Sequence, residues 1–104
     1  MQKYTQPNTP AAQNIHTALA GTYTTTGSNY YTNTTSGIVL KLCTRKVATA
    51  LKPAHYAMHK TTSGKEVYLT SFYPQANGTH TAECGGKYYA VQLEAETITF
   101  TRLN

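Results

Sequence analysis

Aspartate and tryptophan are absent from this 104-residue chain, and charged residues of any kind make up only 12% of it. Without aspartate there is no EF-hand, no Walker B acid, no Asp-based catalytic dyad and none of the Asp clusters that hold Mg²⁺ in nucleases. A phosphate cradle is missing too, because Gly85-Gly86-Lys87 lacks P-loop spacing. An ATP- or Mg²⁺-dependent enzyme is therefore not expected, and no cofactor is assigned. No window approaches the roughly 20 apolar residues of a membrane helix, so no membrane partner is expected. Ile15 and Leu19 are the only large aliphatics among the first thirty residues, too few for the h-region of a secretory signal. No repeat of 20 to 50 residues is visible, which excludes solenoids and propellers.

Cysteine is scarce, with Cys43 and Cys84 outside any Cys-x-x-Cys or Cys/His ligand spacing. Two thiols in a cytoplasmic protein is the expectation. A Cys43–Cys84 disulfide in an exported form is the alternative, since sequence alone does not place the two Cα atoms within bridging distance.

What the chain has in abundance is threonine, 20 residues, and tyrosine, 9 residues. Branched and aromatic side chains pack well on a pleated surface and favour strands. The length suits one domain over residues 1–104, opening with a flexible arm over 1–8. Thr9-Pro10 reads as an N-cap with proline at the first helical position, and Gly21 as the stop. Between them Ala11, Ala12, Ile15, Ala18 and Leu19 recur at helical spacing, predicting a helix over about 10–20.

Strand signals follow. Thr22 to Thr35 reads as a polar hairpin around Thr26-Gly27-Ser28-Asn29, and Ile38, Leu40 and Leu42 alternate as one core face with Lys41 opposite. Thr44 to Leu51 fits a short helix or a continued strand, ended by Pro53. A hairpin joins His55–Lys60 to Lys65–Tyr73 across Thr61 to Gly64, and aligning apolar positions pairs Lys60 with Lys65, Met58 with Val67 and Tyr56 with Leu69. A last hairpin pairs Leu93 with Ile98, Val91 with Phe100 and Tyr89 with Arg102. The fold expected is α+β: one N-terminal helix packed on a five- to six-stranded, mainly antiparallel sheet or a partly closed small barrel.

Charge is local. Residues 1–65 hold seven Lys/Arg and no acid, whereas 66–104 hold two Lys/Arg and all four glutamates. The positive density peaks between Lys41 and Lys65, a sign that attracts phosphates or acidic surfaces. A basic groove with aromatic platforms is what grips single-stranded nucleic acid. The residues that supply one here are Lys41, Arg45, Lys46, Lys52, Lys60 and Lys65 with Tyr30, Tyr31 and Tyr68. The first expectation is thus a non-enzymatic binding module, an accessory protein of phage or plasmid type. Its partner would be nucleic acid or an acidic protein surface, and a homodimer is compatible with the sequence.

A metal-independent ribonuclease is an alternative, because 2′-hydroxyl cleavage needs only a base, an acid and nearby cations. In the register above, His55, His59, Glu66 and Tyr68 share one face of the 55–73 hairpin. His55 and His59 alone do not make a zinc site, since four residues on a strand separate them by about 13 Å, so a zinc site would need Cys84 or His80 brought in by the fold. A third class is a structural, virion or adhesive protein whose Thr/Tyr-rich strands present a low-charge hydrogen-bonding surface.

Overall fold

A computed structural model describes Ile15 and residues 18–103. Eight strands follow one another: β1 (Gly21–Thr24), β2 (Tyr30–Thr32), β3 (Val39–Thr44), β4 (His55–Lys60), β5 (Glu66–Pro74), β6 (His80–Cys84), β7 (Lys87–Leu93) and β8 (Thr97–Arg102). Each pairs antiparallel with the next, and β8 returns to β1, so the sheet closes into an up-and-down barrel.

This replaces the expected helix on a five- to six-stranded sheet. Among the described residues there is no helix: Ile15 lies in a turn, and Ala18–Ala20 lead through a bend into β1. The remainder of the predicted helix up to position 17, and the predicted arm over 1–8, lie outside the described residues. A closed barrel has no edge strands to blunt and covers its own apolar face, so the sheet does not require a helix lid. Ile15 and Leu19, which produce the helical spacing, are both buried in the core. The Tyr23 hydroxyl donates to the Leu19 carbonyl at 2.8 Å and ties that segment to β1.

Aromatic rings fill the middle of the interior. Phe100 meets Tyr23, Phe72 and Tyr89 edge-on at ring separations of 5.5, 5.8 and 6.0 Å. An eight-stranded barrel either packs its interior with side chains or holds one small ligand, and these four rings place this chain nearer the first case. β6 supplies the complement, because Ala82 faces Tyr89 across the ladder and its small side chain leaves room for the ring.

The last hairpin has the register expected from sequence, with Leu93↔Ile98, Val91↔Phe100 and Tyr89↔Arg102. The 55–73 hairpin does not. Its loop runs over 61–65, closed by the Thr61 N–H on the Lys65 carbonyl at 2.8 Å, and Gly64 takes a φ of 89° that a side chain would resist. Lys60 therefore pairs with Glu66, His59 with Val67 and Met58 with Tyr68, one residue from the expected alignment. A bulge between Ala57 and Met58 then shifts the ladder again, giving Ala57↔Thr70 and His55↔Phe72.

Two seams are thin. β1 and β2 share one pair, Thr24↔Thr32, and β5 and β6 share two, Tyr73↔Thr81 and Pro74↔His80. Side chains supplement them: the Thr70 hydroxyl donates to the Glu83 carbonyl at 2.8 Å. Asn33 sits so close to Gly21 that a Cβ there would lie 2.6 Å from its amide nitrogen, which leaves glycine as the residue that fits. Thr44 to Leu51 is neither helix nor strand beyond Thr44; residues 45–54 form an irregular loop.

Candidate nucleic-acid interface

Side chains on a strand alternate between faces, so the register decides which residues share the outer surface. Across β2 to β5 one outward row is Tyr30, Lys41, Met58 and Tyr68, the next is Cys43, Tyr56 and Ser71, and Lys60 stands opposite Glu66. Two lysines, Lys41 and Lys60, and three tyrosines, Tyr30, Tyr56 and Tyr68, thus share the outer face of four adjacent strands.

Two clusters make up this face. In the first, the amines of Lys41 and Lys60 lie 5.7 and 5.0 Å from the centre of the Tyr30 ring, within cation–π range. The Tyr30 hydroxyl donates to Glu66 Oε2, and Lys41 Nζ is 3.5 Å from Glu66 Oε1. The Tyr30 hydrogen bond is the main reason the Glu66 carboxyl is held below its ordinary range, with Lys41 adding to it. The same bond raises the Tyr30 phenol, and Glu66 raises the Lys41 amine. At neutral pH Lys41 is an ammonium, Glu66 a carboxylate and Tyr30 an intact phenol.

In the second cluster the Arg45 guanidinium stacks over Tyr56 at 4.2 Å, and Tyr56 lies 6.1 Å from Tyr68 with the rings tilted by 33°. Arg45 Nη1 donates to the Pro53 carbonyl at 2.7 Å, so the loop entrance is bolted to its exit. Ser71 Oγ sits 2.6 Å from the Tyr68 hydroxyl. These contacts fix the rings, while Tyr68 stays 56% exposed and open to a stacking partner.

The structure therefore brings Lys41, Arg45, Lys60, Tyr30 and Tyr68 onto one surface. Lys46 and Lys52 lie on the exposed 45–54 loop next to Arg45, and Lys65 lies in the β4–β5 turn beyond Lys60. Tyr31 is not on this face. It points into the barrel, 5% exposed, opposite Leu40. The proposed catalytic face is also split: Glu66 and Tyr68 point outward, whereas His59 is buried opposite Val67 and His55 sits inward opposite Phe72. The one-residue difference in register moves His55 and His59 to the other side of the sheet from Glu66.

Cys43 shares the outer face beside Tyr56, and Cys84 is buried in the core; both are thiols. Burial pushes the Cys84 thiol up to about 11, which keeps it protonated and unreactive at neutral pH. A separate groove of about 620 Å³ follows the splayed β1–β2 seam, lined by neutral residues such as Thr22, Thr24, Thr32, Asn33 and Ser36. Among the described residues its lining includes no acid, base or thiol to do chemistry. No group of three or more His, Cys, Asp or Glu side chains is placed to hold a metal among the described residues.

His59 gives a pH-dependent expectation. Burial lowers its imidazole below the ordinary value, so the folded chain takes up that proton less readily than the unfolded chain. Stability is then full above about pH 6.5 and declines as pH falls below it, by at most about 1.4 kcal/mol per pH unit for one proton. Melting temperatures between pH 7.5 and 5.5 should drop more for the parent than for His59→Leu. Equal drops would show that His59 does not titrate against the fold.

The sequence pattern brings Lys60 near Glu66 but does not show that the two stand directly opposite with Lys41 within 3.5 Å, nor that Val47 and Leu51 stand 76% and 84% exposed on the 45–54 loop. The first would have followed from pairing Lys60 with Glu66 as opposite charges. The second has no signal in a stretch whose apolar spacing also fits a buried helix. No family model, no curated protein and no solved structure matches the chain.

Proposed function

We propose that this protein is a non-enzymatic binding module that takes single-stranded nucleic acid on the outer face of β2 to β5. The observation that supports it is the interleaving of three cations, Lys41, Arg45 and Lys60, with the rings of Tyr30, Tyr56 and Tyr68 on one surface. Phosphates neutralise the cations, and unpaired bases stack on exposed rings whatever their sequence. A duplex hides its base faces and has less use for Tyr56 and Tyr68. Lys46 and Lys52 extend the positive track past Arg45, and Lys65 extends it past Lys60.

Three phosphate contacts to a single strand predict that log K falls with log salt at a slope of about −2, or roughly a 20-fold loss between 50 and 200 mM. Fluorescence anisotropy with labelled single- and double-stranded oligonucleotides measures this. Preference for the single strand with that slope supports the reading, and no binding at 50 mM salt rejects it.

A second reading rests on Val47 and Leu51, exposed aliphatics flanked by Lys46 and Lys52. The loop is held in shape by the Thr49 N–H on the Lys52 carbonyl at 2.8 Å and by Tyr73 on the Leu51 carbonyl at 3.3 Å. An ordered apolar tip with a basic rim suits a protein partner that has an apolar pocket and an acidic border. In the same titrations, replacing Val47 and Leu51 by serine should leave oligonucleotide binding unchanged.

A further inference from the structure

His55 opens β4 and His80 opens β6, and antiparallel pairing with β5 carries both to the same mouth of the barrel, on either side of the end of β5. Both point inward by strand parity, His55 with the buried Ala57 and His59, His80 with the buried Ala82 and Cys84. Their rings lie 6.1 Å apart at 87°. His80 Nδ1 is buried and has no hydrogen-bond partner. A buried imidazole nitrogen without a partner is costly, and an unprotonated one is a ready metal ligand.

From these observations we propose that His55 and His80 form a two-histidine site for a divalent transition-metal ion, Zn²⁺ in the first instance. Imidazole is a preferred ligand of Zn²⁺ and Cu²⁺, and among the described residues neither histidine is engaged in an ion pair that a metal would have to displace. The separation is suitable. An ion about 2.05 Å from one nitrogen of each ring lies about 3.2 Å from each ring centre, so the observed spacing is spanned at an N–metal–N angle of about 145°. A tetrahedral angle needs the centres about 0.9 Å closer, a shift within reach of His55, which is only partly buried at the first position of its strand. Because no third His, Cys, Asp or Glu joins the pair among the described residues, water completes the shell.

Two ligands in place of four give roughly the square root of a structural zinc site's affinity, a Kd on the order of 10 µM. Isothermal titration of the tag-free full chain with ZnCl₂ at pH 7.5 should show one site in that range. His55→Ala and His80→Ala should each weaken it at least tenfold, and His59→Leu should bind as the parent does. If either variant folds poorly, ¹H–¹⁵N imidazole spectra of the parent still decide the matter: Zn²⁺ should move the resonances of His55 and His80 together. Unchanged binding in a folded His80→Ala, or no binding below 1 mM zinc, would overturn the proposal. The site is independent of the outer face, and Zn²⁺ binding with no oligonucleotide binding would leave it standing.

Discussion

Replacing Phe100 with alanine is expected to destabilise the barrel by about 3–5 kcal/mol, the range for truncating a buried aromatic. Phe100 is 2% exposed and touches three other rings, those of Tyr23, Phe72 and Tyr89, which come from β1, β5 and β7. Loss of the ring opens a void that rigid aromatic neighbours on three separate strands cannot collapse to fill, and edge-on pairs contribute beyond their buried area. Against a total stability of about 5–15 kcal/mol this is a large fraction. At about 4–8 °C per kcal/mol for a domain of this size, the melting temperature should fall by roughly 12–40 °C. Leu103→Ala, at a residue 58% exposed, should move it by no more than a few degrees. Thermal unfolding followed by circular dichroism compares the two. Similar small shifts for both would mean that the four rings do not form the organising contact of the core.

That contact was half legible in the sequence. Alternation in 87–102 carries strong apolar residues at every second place, so the pairing of Val91 with Phe100 and of Leu93 with Ile98 follows from pattern alone. β6 carries no such signal, because its inward residues are His80, Ala82 and Cys84, small or polar, and their smallness makes sense only opposite Tyr89. Closure was hidden for a related reason. The β1–β8 pairing joins Thr22 to Thr99 and Thr24 to Thr97 on the outside, and threonine pairs mark a strand without marking its partner.

The candidate face illustrates a different limit. Composition places the basic density between Lys41 and Lys65, yet the faces of β4 and β5 depend on a five-residue loop and a bulge. Either changes parity, and parity decides whether a histidine or a tyrosine meets solvent. The apolar residues of this hairpin gave misleading guidance, since Met58 and Val67 are not partners, while His59 and Thr70 are buried polar residues. Ile15 and Leu19 show the same effect at the other end of the chain. Two core residues four apart read as a helix stripe because spacing records burial, not the backbone that achieves it.

Replacing Lys41 and Lys60 together by glutamine should weaken binding of a single-stranded oligonucleotide by about 25-fold at 0.1 M salt, since each lost phosphate contact removes about 0.7 from the salt slope. The slope itself should shrink from about −2 to about −0.7, leaving the contact made by Arg45. Glutamine is one atom shorter than lysine but keeps a flexible polar side chain on the outer face, and Glu66 retains its hydrogen bond from Tyr30, so the change is mainly one of charge with the barrel intact. Tyr68→Leu tests the other half of the surface. Losing a stacked base costs about 1–3 kcal/mol, or 5- to 150-fold, with the salt slope unchanged because no phosphate contact is lost. The two variants should therefore separate: one alters slope and affinity, the other affinity alone. Glu66→Gln should move affinity the opposite way, because it removes the one carboxylate that competes with phosphate for Lys41. If the lysine variant binds as the parent does while Tyr68→Leu does not, the face is an aromatic contact surface and not a phosphate track. If none of the three changes binding, the nucleic acid sits elsewhere on the protein.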